Sequence, residues 1–246
     1  MKKRIRRIYI EDHLKINQII LLSKNNTHYV KKVLRMKEKD KLEVFNNQKY
    51  VFISEIIEIK QKTIKVIILK KEIRNIESPL SIHLGLVISK NEKMKFSIQK
   101  SVELGVKKIT PLISEYCHLK KKSNDFLNKS KNWKNIKISA CQQCNRNIFP
   151  KINHPESIFS WCKKTYKYGT KIVFDPHSTL TMNVLPKKIN YIRLLIGCEG
   201  GFSRLEIEKI IQYKFIPIKL GPRILRTETA VIAAITALQI KFGDFN

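Results

Sequence analysis

Leu194-Leu195-Ile196-Gly197-Cys198-Glu199-Gly200-Gly201-Phe202-Ser203 is the stretch on which the fold turns. A continuous apolar run enters a turn with three glycines in five residues. Ser203-x-x-Glu206 then forms a capping box, and Ile207, Ile210 and Ile211 follow on one helical face. Strand, glycine turn and helix make one unit of a parallel α/β sheet, and such sheets bind ligands at the carboxyl ends of their strands. The turn has neither the GxGxxG spacing of a dinucleotide fingerprint nor the lysine of a GxxxxGK[ST] loop. Glu199 would repel phosphate and suits a cationic or hydroxyl-bearing ligand. A tight structural turn fits the same glycines, and both readings stay open at this point.

A second segment repeats the design. Lys219-Leu220-Gly221-Pro222-Arg223-Ile224-Leu225-Arg226-Thr227-Glu228-Thr229-Ala230 carries an apolar run into a Gly-Pro turn and then a helix, with Thr227 expected as its N-cap. Arg226 and Glu228 either pair with each other or do polar work at a second strand end. The helix that follows is apolar nearly all round, from Ala230 through Ile232, Ile235 and Leu238 to Ile240. Such a helix must be buried all round, which predicts packing on its own sheet and on a partner subunit, a homodimer.

Working outward, continuous apolar strands are expected at 80–89, 108–113, 171–174, 191–196 and 215–220. Helices are expected at 92–104, stopped by Gly105, at 123–144 as one long helix or two, and at 203–213 and 226–242. Their alternation predicts a parallel sheet covered on both faces. Residues 1–73 read differently. Short β-branched runs at 42–45, 50–59 and 63–69 follow Ile5, Ile8 and Ile10 and a short helix at 28–34, with a turn at Asn46-Asn47, as in a small barrel. The polar, proline-bearing connection at 74–79 divides the chain into domains 1–73 and 74–246.

The net charge is +29, from 49 basic and 20 acidic residues, and both parts are basic. Such a field favours polyanions, although the Lys-, Ile- and Asn-rich composition also fits drift in an AT-biased genome. No signal-peptide core follows the basic start, and no apolar run approaches the ~20 residues of a membrane span, so a cytoplasmic protein that does not enter the membrane is expected. Cys141-x-x-Cys144 is a single pair. Zinc would need two more ligands, and only Cys117 and His118 offer themselves, so ordinary thiols and no metal are expected.

These residues resemble a known family. Gly197-Cys198-Glu199-Gly200-Gly201-Phe202-Ser203 is similar to GPEGGFS, and Leu220 through Ala230 to LGPRILRTETA, of the ribosomal RNA small subunit methyltransferase E family (RsmE) in the SPOUT superfamily. The likeness extends over nearly the whole chain, through Arg7-Ile8-Tyr9, His28 with Val33-Leu34-Arg35-Met36, Lys93-Met94 to Val106, and Trp133 to Arg146. It implies an N-terminal PUA-like RNA-binding barrel and a C-terminal α/β SPOUT domain with a trefoil knot. It further implies a homodimer, an S-adenosylmethionine cofactor, and methyl transfer to N3 of a uridine in 16S rRNA of the small ribosomal subunit. Two positions depart from the family: Cys198 stands for proline, and Gln142 for the usual glutamate.

Methylation at N3 removes a weakly acidic proton and holds the resulting anion against a sulfonium methyl, so a nearby cation would help. Arg226 is the first candidate and Arg223 the second, with Glu228 orienting an arginine or accepting the proton. Cofactor contacts are expected from Gly197, Glu199, Gly200, Gly201, Leu220, Gly221, Ile224, Leu225 and Thr229. Asp175-Pro176-His177, after a third strand, is a weaker candidate for closing the pocket. RNA contacts are expected from Arg4, Arg6, Arg7 and Arg35, and nearer the active site from Lys90, Lys93, Lys100 and Arg146. Methylation of another base or of ribose is one alternative. An RNA-binding assembly factor that transfers no methyl group is another.

Overall fold

Strands of alternating burial build the first of two units. A computed structural model describes residues 5–117, 123–164 and 169–245. The chain divides into Met1–Glu77 with Cys141–Phe149, and Ser78–Ala140 with Pro150–Asn246.

In the first unit, β1 (Arg6–Tyr9), β2 (Ile19–Leu21), β3 (Lys41–Phe45), β4 (Tyr50–Ile59) and β5 (Ile64–Ile73) form a sheet in the order β1-β3-β4-β5-β2. β1 runs parallel to β3 and the other pairs are antiparallel. The β3–β4 turn forms as expected, with Asn47 at φ 62°. Register shifts in the β4–β5 ladder bend the sheet around Ile8, Val30, Leu42, Val44, Ile56 and Val66. The expected helix at 28–34 begins earlier. Ser23 accepts from Asn26 N and caps α1 (Lys24–His28), which widens into a π-turn at Tyr29–Val33. β5 outruns its expected end because pairing with β4 continues through Lys70, Lys71 and Glu72 to Ile73. The short β2 was missed, being set by pairing to β5 rather than by alternation of its own.

Two expected RNA contacts are corrected here. Arg7 and Arg146 are buried, at 6% and 3% exposure. Arg7 donates to Glu43 Oε1 at 3.0 Å, to the carbonyls of Asn145 and Arg146 at 2.8 and 2.7 Å, and to Asn147 Oδ1 at 2.6 Å, while its guanidinium lies 4.0 Å from the centre of the Phe45 ring. Arg146 pairs with Glu77, and Arg74 with the second oxygen of Glu43. These charges stitch residues 141–149 onto the first unit and are spent inside it. Burial pulls the Arg7 pKa down despite the Glu43 carboxylate.

The second unit is a parallel sheet of β6 (Ser81–Val87), β7 (Lys108–Ile113), β8 (Lys151–Ile152), β10 (Thr170–Phe174), β11 (Tyr191–Ile196) and β12 (Ile216–Ile218), with the short β9 (Glu156–Ser157) also on β7. Its order is β12-β10-β11-β6-β7-β8. Helices α2 (Asn91–Glu103), α3 (Ser123–Cys144), α4 (Ile158–Lys163), α5 (Arg204–Gln212) and α6 (Thr227–Phe242) complete the chain. Successive strand residues face opposite layers. Leu84, Leu194 and Ile196 meet Met94, Ile98, Val231 and Leu238 of α2 and α6, whereas Val87, Leu195 and Val173 meet Trp161 and Ile210 of α4 and α5. Gly85 makes room for the Trp161 indole, since a Cβ there would lie 2.8 Å from the ring. Gln239 of α6 accepts from Ser78 Oγ and donates to the Leu104 carbonyl. Thr227 is not the N-cap: Arg226 occupies that position without a side-chain capping bond. Among the described residues no helix is long and apolar enough to cross a membrane.

His83 is a buried titratable group of this core. Its Nε2 lies 2.8 Å from Thr110 Oγ1 and 3.3 Å from Trp161 Nε1. Burial first, then the positive Lys108, Arg193 and Lys164, lowers its pKa from 6.5 to about 3. The unfolded chain therefore binds a proton that the folded chain refuses across this interval. Stability falls as pH drops from about 6.5 toward about 3, by at most ~1.4 kcal/mol per pH unit. In urea titrations over this range, His83→Gln should flatten the acid slope. An unchanged slope would exclude His83 as its source.

Candidate functional site

Three neighbouring strands end at one level. β10 lies between β11 and β12, with Val173 paired to both Leu195 and Pro217 and Phe174 to Ile218. Phe174, Ile196 and Ile218 therefore floor a single cavity of about 450 Å³, within the range of small-molecule sites. Its walls are the turn after β11, the segment after β12 and Asp175-Pro176-His177 after β10.

The first wall is the glycine turn. Gly201 N donates to the Cys198 carbonyl at 2.9 Å, and Gly201 takes φ +68°, a left-handed conformation suited to glycine. The Ser203 side chain accepts from Glu206 N, and Glu206 Oε2 from Ser203 N, closing the expected capping box. Glu206 Oε1 also accepts from Glu115 N at 2.9 Å, tying the segment after β7 to the turn. The Cys198 thiol donates to the Tyr116 carbonyl at 3.1 Å. Burial pushes that thiol's pKa up, so it stays protonated and keeps its donor.

The second wall runs from Leu220 to Arg226, with Gly221 at φ +78°. Ile224 is 84% exposed, and Arg223 and Arg226 are exposed as well, with no ion-pair partner among the described residues. The third wall is held by Asp175 N donating to the Ile218 carbonyl and by the Asp175 side chain accepting from His177 N.

The cavity gathers Gly197, Glu199, Gly200, Gly201, Leu220, Gly221, Ile224 and Leu225, together with Arg223, Arg226 and Lys93. Glu228 and Thr229 sit on the first turn of α6 outside its lining. One oxygen of Glu228 is buried without a hydrogen-bond partner. Lys93 reaches Glu199 at 3.2 Å. Lys100 pairs with Glu103, and Lys90 is exposed at the start of α2. Arg6 and Arg35 are exposed on the first unit, whereas Arg4 and His118 lie outside the described residues. Sequence reasoning missed the floor residues Phe174, Ile196 and Ile218. Ile196 alone carried a signal, closing a strand expected to end at the glycine turn, whereas Phe174 and Ile218 join it only through strand pairing.

The chemistry of this lining suits a ligand with an apolar ring, hydroxyl groups and a positive charge. The floor is apolar, the turns bring backbone close, and Glu199 and Asp175 supply the acidic groups.

Comparison with known proteins agrees with this geometry. Residues 76–239 match a family model described as an RNA methyltransferase domain, and residues 22–69 one described as an RNA methyltransferase PUA domain. The chain is 70% identical to the ribosomal RNA small subunit methyltransferase E of Buchnera aphidicola subsp. Schizaphis graminum, over 100% of both chains. Among solved structures, it is similar to a Legionella pneumophila methyltransferase in complex with bound cofactor SAM, with 39% identity, a TM-score of 0.94, and 99% of this chain and 100% of that one covered. A ribosomal RNA small subunit methyltransferase E from Neisseria gonorrhoeae bound to S-adenosyl methionine has 30% identity and a TM-score of 0.91, over 99% and 100%.

The two turns differ in what their glycines do. A Cβ at Gly221 meets nothing within 4 Å, whereas one at Gly200 would lie 2.9 Å from Tyr116 Cβ. Gly221→Ala should cost only the left-handed backbone, about 1 kcal/mol. Gly200→Ala must displace the Tyr116 segment and should cost more. Urea unfolding of the two variants checks that order, and a smaller cost at Gly200 would contradict the packing.

Proposed function

We propose, from the premise that the chain belongs to the ribosomal RNA small subunit methyltransferase E family, that it transfers the methyl group of S-adenosylmethionine to N3 of a uridine in 16S rRNA. The observation that carries this reading is the cavity at the level ends of β10, β11 and β12, walled by both glycine turns.

In this reading Gly197, Gly200 and Gly201 bring backbone to the cofactor. Glu199 faces its positive end, and Leu220, Gly221, Ile224 and Leu225 enclose the adenosine. Thr229 joins only if the first turn of α6 shifts toward the ligand. The bound cofactor supplies an electrophilic methyl group. The protein's task is to orient the base, exclude water and favour the anion left when the N3 proton departs. Arg226 and Arg223 are exposed cations at the cavity mouth, free to close on an entering base. Glu228, outside the lining, suits the orienting role better than that of proton acceptor.

Residues 1–73, with 141–149 packed among them in the first unit, act as the RNA-binding module, and the remainder of 74–246 acts as the methyltransferase domain, whose end is knotted as in SPOUT proteins. Arg6 and Arg35, being exposed, suit phosphate contacts in the first module, and the exposed Lys90 suits one nearer the cavity, whereas Lys100 is engaged by Glu103. The protein works in the cytoplasm on the small ribosomal subunit, as a homodimer and without a metal. The dimer is supported by α6, whose Val231, Ala234, Ile235 and Leu238 are buried while Ile240 on its other side is 53% exposed.

Two measurements test the reading. Purified protein incubated with methyl-labelled S-adenosylmethionine and unmethylated small subunits should place the label in N3-methyluridine, identified by mass spectrometry after digestion. Label in ribose or another base overturns the target assignment, and RNA binding without transfer favours an assembly factor. In sedimentation at micromolar concentration the protein should run as a dimer, and a strictly monomeric species would count against the α6 interface.

A further inference from the structure

The cavity holds one cation on a fixed tether. Three strongly basic side chains line it, Lys93, Arg223 and Arg226. The two arginines lie on the exposed segment after β12, and each would have to give up rotamer freedom to point at a ligand. Lys93 differs. It grows from the first turn of α2, whose Met94 and Ile98 are buried in the core, and its Nζ lies 3.2 Å from Glu199 Oε1. Helix and glycine turn thus grip the two ends of one ion pair at the cavity wall.

Taking the cavity as the methyl-transfer site proposed above, we infer that Lys93 is the cation that stabilises the uridine anion, and that Glu199 is the residue that positions it. A lysine ammonium carries three donors. Glu199 uses one, which leaves N–H groups for a uracil carbonyl beside N3. Before transfer that oxygen is neutral and the attraction is weak. As the N3–H bond breaks and the proton passes to solvent water, negative charge spreads over N3 and its flanking oxygens. N3 then forms its bond to the methyl carbon, the carbon–sulfur bond breaks, and the sulfonium becomes a neutral thioether. A donor fixed before the reaction strengthens only in this interval, which is what raises turnover rather than binding.

The pairing also explains why a lysine can stand beside a sulfonium. Glu199 balances its charge in the resting state, and the anion takes over part of that role during transfer. A phosphate contact fits less well, because the carboxylate 3.2 Å from the ammonium would repel phosphate. The charged groups around Lys93 are Glu199 from the glycine turn, Asp175 and His177 after β10, Arg223 and Arg226 before α6, and Lys90 and Glu92 on α2 itself.

The test compares Lys93→Met and Lys93→Arg with the unaltered protein in the labelled-methyl assay, alongside calorimetric binding of S-adenosylmethionine and filter binding of the RNA. Lys93→Met should lower kcat by roughly 100-fold at neutral pH, as loss of a preorganised oxyanion donor does. Both binding constants should stay within about twofold, a loss below ~0.4 kcal/mol. The deficit should shrink as pH rises and solvent hydroxide removes the N3 proton. Lys93→Arg should recover most of the rate. Glu199→Gln should lower kcat by a larger factor in the protein that keeps Lys93 than in Lys93→Met, because part of its effect acts through the lysine. The proposal is overturned if Lys93→Met leaves kcat intact and instead raises KM for RNA with a shallower salt dependence, or if it removes cofactor affinity. Absence of transfer by the unaltered protein would overturn the proposed function and this inference together, whereas full turnover by Lys93→Met overturns only the inference.

Discussion

The pairing of β10 with β11 on one side and β12 on the other is the constraint from which the site follows. Parallel strands in register place their carboxyl ends on one edge, so the segments leaving Phe174, Ile196 and Ile218 meet whether or not they share chemistry. The backbone ladder needs no particular side chains. What the sequence adds at each exit is a segment able to turn tightly: three glycines after β11, Gly-Pro after β12, and an Asp that caps its own turn after β10. A cavity at this edge is therefore a consequence of topology, and the residue types on the three exits decide what it can hold.

Much of this was legible in the chain. Periodicity located β7, α3 and β11 at the residues where they occur, because long apolar or amphipathic runs carry their own signal. The short β8, β9 and α4 were not foreseen. Two-residue strands have no period to read, and α4 is held by Ser157 capping Ser160 N and by burial of Trp161 against Gly85. The cap is local, but a helix this short carries too little period to be read, and the Trp161 packing is a tertiary fact. At the site, the turns gave themselves away through glycine and charge, while the floor had to wait for strand pairing. Thr227 misled for a physical reason. Threonine is a good N-cap, but the chain stays extended only as far as Arg226, so Thr227 already has helical backbone.

Charge was the least reliable guide. A net +29 suggests a surface covered in free cations, yet several arginines are structural. Arg7 and Arg146 bind the segment 141–149 within the first unit. Arg193, 1% exposed, stacks 3.9 Å from the Trp161 ring and donates to the carbonyls of Trp161 and Lys164. A planar guanidinium with five donors can satisfy several carbonyls at once, which is why arginine rather than lysine occupies these places. The lysines, in contrast, mostly remain at the surface, where screening governs their effect on a polyanion. The count that matters for RNA is thus smaller than the composition states.

The substitution at Cys198 shows how a turn keeps its shape when its stiffest residue is lost. Proline there would fix φ and lower the entropy of the unfolded chain, an effect worth roughly 0.4–1 kcal/mol. Cysteine gives that up and gains a side-chain donor, which it directs at the Tyr116 carbonyl. The same segment is already held by Glu206 through Glu115 N, and the turn itself by the Cys198 carbonyl accepting from Gly201 N. The thiol bond adds to two hydrogen bonds that do not depend on the side chain at 198, and two of the three reach the segment after β7. Glu199, carried between the fixed points at Cys198 and Gly201, therefore keeps a defined position facing Lys93, and the electrostatics of the cavity survive the change of residue.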